Sequence, residues 1–306
     1  MASSIPESVT AEAPPAELSA TLAGPSELSR RRLVVRRFLR HRPGMVGLAL
    51  TLVLVGLGLL APVLSPRDPF AFSGTPLASP SRGHLFGTDN LGRDLAGAVL
   101  HGLRTSATVV VWVVLISATL GVTIGALAGY AGRLVDDVLM RLTDLFQAVP
   151  RFFLVLLVLA LFGTGTENMI LILGLTSWPL LARVVRADTL SMRERPFIEA
   201  ARSLGASHVR IVARHIVPNV VPAAVVVIAL LASRVILLEA SLSFLGLGDP
   251  SVMSLGFLIG NAQRFIRVAW WMSVFPGAVL ALVVLGVNLL ADGLNDVVAP
   301  TGHDRR

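Results

Sequence analysis

Six runs of apolar residues, each long enough to cross a lipid bilayer as a helix, dominate this 306-residue sequence. A hydrocarbon core of about 30 Å needs roughly 20 residues of helix. More than half of the residues (54%) are apolar and only 15% are charged, a composition too apolar for a soluble domain of this size. The sequence therefore predicts an all-α polytopic membrane protein with about six transmembrane helices. The runs lie at about 44–64, 107–130, 145–163, 168–186, 220–246 and 272–292.

The third and fourth runs are the weakest of the six. Pro150 and Arg151 open the third run, and Trp178-Pro179 interrupts the fourth. Proline removes a backbone donor and so leaves a backbone carbonyl without its hydrogen bond. A packed bundle tolerates this within a membrane helix because neighbouring groups can bond that carbonyl. Five or six spans are therefore possible, and six is the number that we expect.

Arginine residues set the expected orientation. Short loops rich in arginine stay in the cytoplasm, so a basic cluster before the first run keeps the N-terminus inside. We interpret this cluster as a topogenic, lipid-facing stretch and not as a nucleic-acid site. Both chain ends are then expected in the cytoplasm. The cluster consists of Arg30, Arg31, Arg32, Arg36, Arg37, Arg40 and Arg42.

The same reasoning divides the chain into segments. Its polar start has no apolar run that could bury a face, so we expect it to be disordered. The expected segments are a disordered cytoplasmic tail at 1–29, a basic cytoplasmic segment at 30–43, a first transmembrane helix at 44–64, an extracytoplasmic connection at 65–106, a core at 107–300 with five transmembrane helices and a cytoplasmic loop at 187–219, and a cytoplasmic tail at 301–306.

Two residue types are missing from the sequence, and both absences limit its chemistry. Without cysteine there is no thiolate ligand or thiol nucleophile, and without lysine there is neither a P-loop lysine nor a Schiff base. His208 and His215 have no third ligand near them in the sequence. The acids Asp136, Asp137 and Asp144 are expected to form a solvated face. We therefore expect no catalytic residue, no cofactor and no metal site.

A basic stretch between the fourth and fifth runs has the pattern of two short helices. Pro196 suits a first helical turn, Glu199 suits the positive end of a helix, and Gly205 suits a helix end. The second helix is expected to stop at Pro218. From its residues alone, this stretch is either an amphipathic surface helix or a docking element for a partner.

The residues from Glu199 to Pro218, called the EAA segment from here on, resemble the signature of ABC importer permeases. In that family this loop forms a coupling helix in a cleft of a separate ATPase subunit. His215 stands where the family has isoleucine, and Val217 stands where it has leucine. The resemblance implies ATPase coupling through Glu199, Ala200, Ala201, Gly205, His215, Ile216 and Pro218.

Three further stretches are similar to the second, C-type permease of dipeptide and oligopeptide importers, so that the resemblance covers about residues 30 to 300. The family usually has Ser-Arg where this chain has Gly97-Ala98. A structural cap explains Asp94 well enough, because a carboxylate is favoured at a helix N-terminus. The stretches are 87–94 with Gly102, Arg104 and Ser106; 239–248; and 276–300 with Pro276, Asp296 and Pro300.

The last run carries two expectations of its own. Trp270 and Trp271 at its start are expected to be an interfacial aromatic anchor. Asp292 and Gly293 are expected to end its helix, because glycine is common just past the last helical residue. In the family pattern, Ala291, Asn295 and Ala299 replace glycine, arginine and aspartate.

Two ionisable residues fall within the fifth run. Arg234 and Glu239 are five positions apart, about 140° around a helix, so we expect each to find its partner elsewhere. Ionisable groups within a membrane are functional hypotheses by default. Either they form interhelical structural pairs or they line a translocation path.

The resemblance implies the ABC importer type I permease arrangement in a bacterial inner membrane. The expected partners are a homologous permease, two ABC ATPase subunits, an extracytoplasmic substrate-binding protein and a peptide substrate. A permease for nickel or another small solute is the nearest alternative. An ion-gradient transporter would need inverted repeats and acidic residues within its spans, and we find no repeat and only Glu239. An intramembrane protease is disfavoured because no catalytic constellation is evident.

Overall fold

The computed structural model describes residues 35–298, which fold into helices joined by connections, the longest of which is 65–94. The segments 1–29 and 301–306, and part of 30–43 with Arg30, Arg31 and Arg32, lie outside this range. The main helices are α1 (Arg42–Leu59), α2 (Leu95–Ala131), α3 (Arg133–Ala148), α4 (Arg151–Phe162), α5 (Thr166–Ser177), α6 (Pro179–Arg193), α7 (Pro196–Ser203), α8 (His208–Ile211), α9 (Val217–Phe244), α10 (Leu255–Ala262) and α11 (Trp271–Val298).

The all-α membrane fold is confirmed. Among the described residues, five stretches are long and apolar enough to span a membrane, and α3 with α4 makes a sixth if that bent pair is one span. Helices α5 and α6 together form one of the five, Thr166–Arg193. The predicted run at 145–163 is thus divided by a bend of 78° between α3 and α4. Pro150 explains the break, because it forces Val149 into an extended conformation (φ −93°, ψ 130°) and ends α3.

Helix α2 begins earlier than the apolar run indicated. Asp94 caps its first turn, since its carboxylate accepts a hydrogen bond from the Gly97 backbone N–H at 2.8 Å. The cap expected of Asp94 is confirmed, and the preceding connection ends at 94 instead of 106. A Cβ at Gly97 would lie 2.5 Å from the hydroxyl oxygen of Ser65, so a serine there would require the Ser65 side chain to move.

Two predicted helix ends are wrong. Helix α8 continues into α9 through one π-helical turn, Val212–Ile216, so Pro218 lies in the first turn of α9 and does not stop a helix. Because the helix is continuous through this point, Pro218 removes one backbone donor from it directly after the π-helical turn. Helix α11 likewise runs past Asp292 and Gly293 to Val298. Gly293 instead allows close packing, because a Cβ there would lie 2.6 Å from the Cα of Gly44 in α1.

A stripe of glycines packs α2 against α6. Added Cβ atoms at Gly121 and Gly129 would lie 2.9 Å and 2.6 Å from the Cβ atoms of Leu181 and Thr189. A Cβ added at Gly125, midway between them, would lie 2.8 Å from the Cβ of Val185. Small residues four apart let two membrane helices approach closely, and packing is what holds helices together in lipid.

The bundle has two ends, which we call the near end and the far end. The near end carries the EAA segment between α6 and α9, and the far end carries the connections 65–94 and 245–270. At the far end, Asp249 accepts hydrogen bonds from the hydroxyl of Ser251 and from the backbone N–H and hydroxyl of Thr166. The bonds from Ser251, with those from Thr166, hold the pKa of Asp249 below its usual range. This carboxylate therefore ties the start of α5 to the chain that follows α9.

The paired tryptophans at the start of α11 have different environments. Trp270 is exposed, as expected of an interfacial anchor, but Trp271 is buried. The indole N–H of Trp271 donates to the backbone carbonyl of Thr88 at 3.2 Å. Trp271 is therefore a packing residue that fixes the far-end connection, because a buried indole N–H needs an acceptor.

Candidate functional site

The short helix α7 begins three residues before the EAA segment and contains its first five residues. Pro196 occupies its first turn and Glu199 also lies in that turn, where a carboxylate complements the helix dipole. Gly205 follows the helix with φ +80°, and its backbone N–H donates to the carbonyl of Arg202. The helix end expected at Gly205 is confirmed. No atom lies within 4 Å of a Cβ added at Gly205, so its backbone conformation is what favours glycine there.

The second half of the segment is continuous with the membrane helix that follows it. The side chain of Ser207 caps α8 by accepting from the Arg210 backbone N–H. In the π-helical turn that follows, the Val217 N–H donates to the carbonyl of Val212. The side-chain amide of Asn219 donates to the carbonyl of His215 at 2.7 Å. The second half of the segment and α9 therefore form one continuous helical element.

A buried apolar cluster fixes the segment on the near end of the bundle. Ile198, Ile211 and Ile216 are fully buried and pack with Val185 of α6 and Val220 of α9. The ring of His215 lies 6.4 Å from that of Phe197, centroid to centroid, so the two halves also contact each other. Of the predicted coupling residues, Ile216 thus belongs to the core of the segment and not to its surface.

The outer face of the segment is exposed and mixes charged side chains with two large apolar ones. Leu204 is 89% exposed and Val209 is 78% exposed. Glu199 and Ala200 are also exposed, and Ala201 is half-buried. The exposure of Leu204 and Val209 was not predicted from the sequence, although the two residues lie on either side of the glycine turn at which two short helices meet. The other predicted residue, Pro218, is exposed at the start of α9.

A polar contact joins the segment to α2. The hydroxyl of Tyr130 lies 2.9 Å from Nδ1 of His208, and the guanidinium of Arg202 lies 5.9 Å from the centre of the Tyr130 ring. These side chains border a cavity of about 1000 Å³ whose other lining residues include Arg193 and Val212. The segment is therefore attached to three membrane helices, α2, α6 and α9.

Two ion pairs attach α3 to α6. Asp136 accepts hydrogen bonds from the guanidinium of Arg186, and Asp144 accepts one from that of Arg183. The prediction of a solvated face is therefore wrong for Asp136, whose side chain is only 14% exposed, whereas Asp137 and Asp144 are exposed as expected. The partners of Asp136 and Asp144 lie about 40 to 50 residues away in the chain, so the local charge pattern could not reveal them.

Glu239 occupies a buried polar cluster toward the far end. Its carboxylate accepts hydrogen bonds from Ser106 of α2 at 2.9 Å and from Ser243 at 3.0 Å, and Ser254 is a third partner. Only 1% of Glu239 is exposed, whereas Arg234 on the same helix is exposed. The two do not pair, as their spacing predicted. No group of three or more potential metal ligands occurs within residues 35–298.

Comparisons with known proteins agree with this architecture. Residues 121–301 match the family described as the inner membrane component of binding-protein-dependent transport systems. Residues 29–80 match the N-terminal transmembrane domain of oligopeptide transport permease C.

Full-length relatives extend the match over nearly the whole chain. The oligopeptide transport system permease proteins OppC of Mycobacterium bovis and of Mycobacterium tuberculosis (strain H37Rv) are each 39% identical over 283 residues, which cover 91% of this chain and 97% of theirs.

A solved structure shows the same fold. It is that of the MetNI methionine ABC transporter in inward-facing conformations, with a TM-score of 0.52 and 19% identity, covering 66% of this chain and 95% of the other. The sequence matches and the shared fold together show that the chain belongs to the family of inner membrane components of binding-protein-dependent transport systems, among its C-type oligopeptide permeases.

Proposed function

We propose that this chain is the permease subunit of an ATP-driven importer that moves peptides into the cytoplasm. It forms the translocation path with a homologous permease, receives substrate from an extracytoplasmic binding protein, and is driven by two separate ATPase subunits. The near end then faces the cytoplasm, with both chain ends on that side. The chain itself has no catalytic role in this proposal.

The exposure of two large apolar side chains on the EAA segment is the observation that carries the proposal. Large apolar side chains such as Leu204 and Val209 are exposed on a segment whose inner face is fully packed. Such a patch is typical of a protein-protein contact, in which a few buried anchors supply most of the binding energy. The family membership supports an ATPase subunit as the partner.

The attachment of the segment supports mechanical coupling. A docked ATPase that moves the EAA segment would also move α6 and α9, because the buried isoleucines join the segment to both helices. ATP binding can favour one arrangement of the spans over another only through contacts that differ between the two states. The EAA segment is where such contacts would act in this proposal.

Peptides are the proposed substrates because the OppC relatives carry the name of an oligopeptide transport system over 91% of this chain. Selection would rest partly with the binding protein that delivers the substrate. Uptake assays with the cognate binding protein, loaded in turn with a peptide and with a nickel chelate, separate the peptide importer from its nearest alternative.

The docking proposal is tested with Leu204→Glu, and Leu134→Glu serves as the matched control. Both residues are over four-fifths exposed, but Leu134 lies at the start of α3, outside the EAA segment. A charge at a buried anchor weakens binding by about tenfold or more, so we expect Leu204→Glu to lose copurification with the ATPase subunits and ATP-driven uptake. We expect Leu134→Glu to retain both copurification with the ATPase subunits and ATP-driven uptake.

A crosslink gives a direct readout of the same contact. The chain contains no cysteine, so Ala201→Cys introduces a single thiol in the EAA segment. We expect a thiol-reactive crosslinker to join position 201 to an ATPase subunit. Uptake that persists without any ATPase, together with an absent crosslink, would contradict the proposed function.

A further inference from the structure

The cavity between α2 and the EAA segment, which we call the near-end cavity, has a positive charge that no lining carboxylate offsets. Arg193, the last residue of α6, lines it half-buried, and Arg202 of α7 lines it exposed. Among the described residues that line the cavity, none is acidic. The ion pairs within residues 35–298 include neither arginine. The cavity is therefore suited to an anion, because a guanidinium binds phosphate groups through several N–H donors.

The remaining wall of the near-end cavity is largely apolar and extends into the membrane-spanning part of α2. Leu127 precedes the last residue of α2, Ala131, by four positions, and Val122 precedes it by nine, or about 6 Å and 14 Å of helix. Val212 and Val217 line the cavity from the π-helical turn and the start of α9. Leu127 is 47% exposed, so the described part of the chain does not cover this wall.

The charged and apolar parts of the cavity lie in the order that a lipid molecule has across the surface of a bilayer. Two candidate membrane spans end at this cavity, one at Ala131 and the other at Arg193. Tyr130, next to Ala131, also lines it. Arginine and tyrosine are typical of the headgroup level of a membrane, whereas leucine and valine are typical of the hydrocarbon. The cavity therefore offers cations at the headgroups and an apolar wall at the acyl chains.

The size of the cavity favours a large amphiphilic ligand. Its volume, about 1000 Å³, is at the upper end of the range for small-molecule sites. A soluble anion would pair with the arginines but leave the apolar wall in contact with water, which is unfavourable. An uncharged acyl chain would cover the wall but leave the guanidiniums without a countercharge. A ligand with both an anionic group and an acyl chain satisfies the whole cavity.

We propose that the near-end cavity binds an anionic phospholipid from the surrounding leaflet. Arg193 and Arg202 hold its phosphate, and an acyl chain lies along Val122 and Leu127. Basic pockets between transmembrane helices bind anionic lipid headgroups on the same principle. This site goes beyond the proposed function, which is needed only to identify the leaflet as the cytoplasmic one.

The lipid site and the ATPase contact use largely different side chains. Leu204 does not line the cavity, and neither Arg193 nor Leu127 belongs to the EAA segment. Arg202 and Val209 belong both to the segment and to the cavity wall. A bound lipid would therefore contact α2, α6 and the EAA segment at once, beside the surface at which the ATPase docks.

The first test measures the unfolding temperature of the full-length chain, purified with its copurifying subunits in a neutral detergent. Dioctanoyl-phosphatidylglycerol is the anionic probe, and dioctanoyl-phosphatidylcholine, with the same chains and no net charge, is its control. A ligand that binds the folded state raises thermal stability, so we expect an excess of the anionic lipid to raise the unfolding temperature by about 3 °C or more. The choline lipid should have little effect.

Two double variants locate the headgroup contact. We expect the shift to disappear in Arg193→Gln/Arg202→Gln, which removes both guanidiniums from the cavity. It should persist in Arg133→Gln/Arg195→Gln, which removes the same charge from exposed residues outside the cavity. An equal loss in both double variants would show that the lipid responds only to the net charge of the near end, and would overturn the site.

A second pair of variants tests the acyl-chain contact and keeps both arginines. Leu127→Asn removes part of the apolar wall, so we expect the concentration of phosphatidylglycerol that gives half of the shift to rise by about fivefold or more. Leu115→Asn changes a similarly exposed leucine of α2 outside the cavity and should leave that concentration unchanged. Equal effects of the two variants would overturn the acyl-chain contact.

Soluble glycerophosphoglycerol, the headgroup without acyl chains, distinguishes a lipid from a free phosphate ester. We expect no shift from it, and a shift as large as that of the lipid would overturn the lipid site in favour of a soluble anion. Equal stabilisation by the two lipids, or by neither, would also overturn it. These measurements need no uptake, so a wild-type transporter that fails to import peptides would overturn the proposed function and not this site.

Discussion

The carboxylate of Glu239 is enclosed by serine hydroxyls from separate parts of the fold. Ser106 comes from α2, Ser243 from α9 itself, and Ser254 from the cap of α10. A buried polar group costs little when it is hydrogen-bonded and much when it is not. The cluster therefore joins three elements, and we propose an interhelical structural role for Glu239.

Substitutions at Glu239 test this role. Glu239→Gln keeps the shape and an acceptor, so we expect a loss of less than about 1 kcal/mol in the free energy of unfolding. Glu239→Leu leaves buried hydroxyls without their partner and should cost about 2 kcal/mol or more. Unfolding of the purified protein in mixed micelles measures both, with Ser241→Ala as a control because its exposed hydroxyl bonds only within its own helix. Equal stability of the two variants would contradict the structural role.

At the scale of the elements, the contact between α2 and α6 depends on the absence of side chains. Gly121, Gly125 and Gly129 recur every four residues and face Leu181, Val185 and Thr189, which recur with the same spacing. Each helix therefore presents one matched face to the other. Helix α6 leads directly to the EAA segment, so this contact sets where that segment lies.

Gly125→Val tests the contact. A valine there would need the space held by Val185, whose Cβ lies 2.8 Å from the added atom. Overpacking of this kind costs about 1–3 kcal/mol, and we expect that loss in the free energy of unfolding. Gly56→Val in α1, which meets no atom within 4 Å, is the matched control and should be neutral. A neutral Gly125→Val would show that α2 and α6 do not pack closely.

The sequence predicted these elements better than it predicted their contacts. Apolar run length located the spans because that signal is local, whereas the bend between α3 and α4 at Pro150 was not predicted. The glycines four apart in α2 are visible in the sequence, but their partners in α6 depend on tertiary packing. The partners of Asp136 and Glu239 were hidden for the same reason, since helices distant in the chain supply them.

At the scale of the whole molecule, two ion pairs link the bent pair of helices α3 and α4 to the helix that precedes the EAA segment. Asp136 and Asp144 bind α3 to α6, and α6 is covalently continuous with the segment. Helix α4 follows α3 after the bend at Pro150 and carries Arg151 at its start. A chain of contacts therefore runs from the near-end surface to the middle of the bundle.

A charge exchange tests whether these contacts transmit movement. Asp136→Arg alone places like charges together, so we expect ATP-driven uptake to fall by at least about tenfold while the ATPase subunits still copurify. The double variant Asp136→Arg/Arg186→Asp restores opposite charges and should recover most of the rate. Uptake and ATP hydrolysis are measured together in proteoliposomes. A double variant as impaired as the single one would argue against the pair as a mechanical link.

Helix α2 is a single element of 37 residues, or about 55 Å, and it touches both ends of the molecule. Ser106 near its start bonds Glu239, and Tyr130 near its end bonds His208 in the EAA segment. A rod of this length that pivots about its middle by about 10° carries its two tips about 5 Å in opposite directions. A pivot of this kind would widen one end of the bundle as it narrows the other, without a flexible joint in α2.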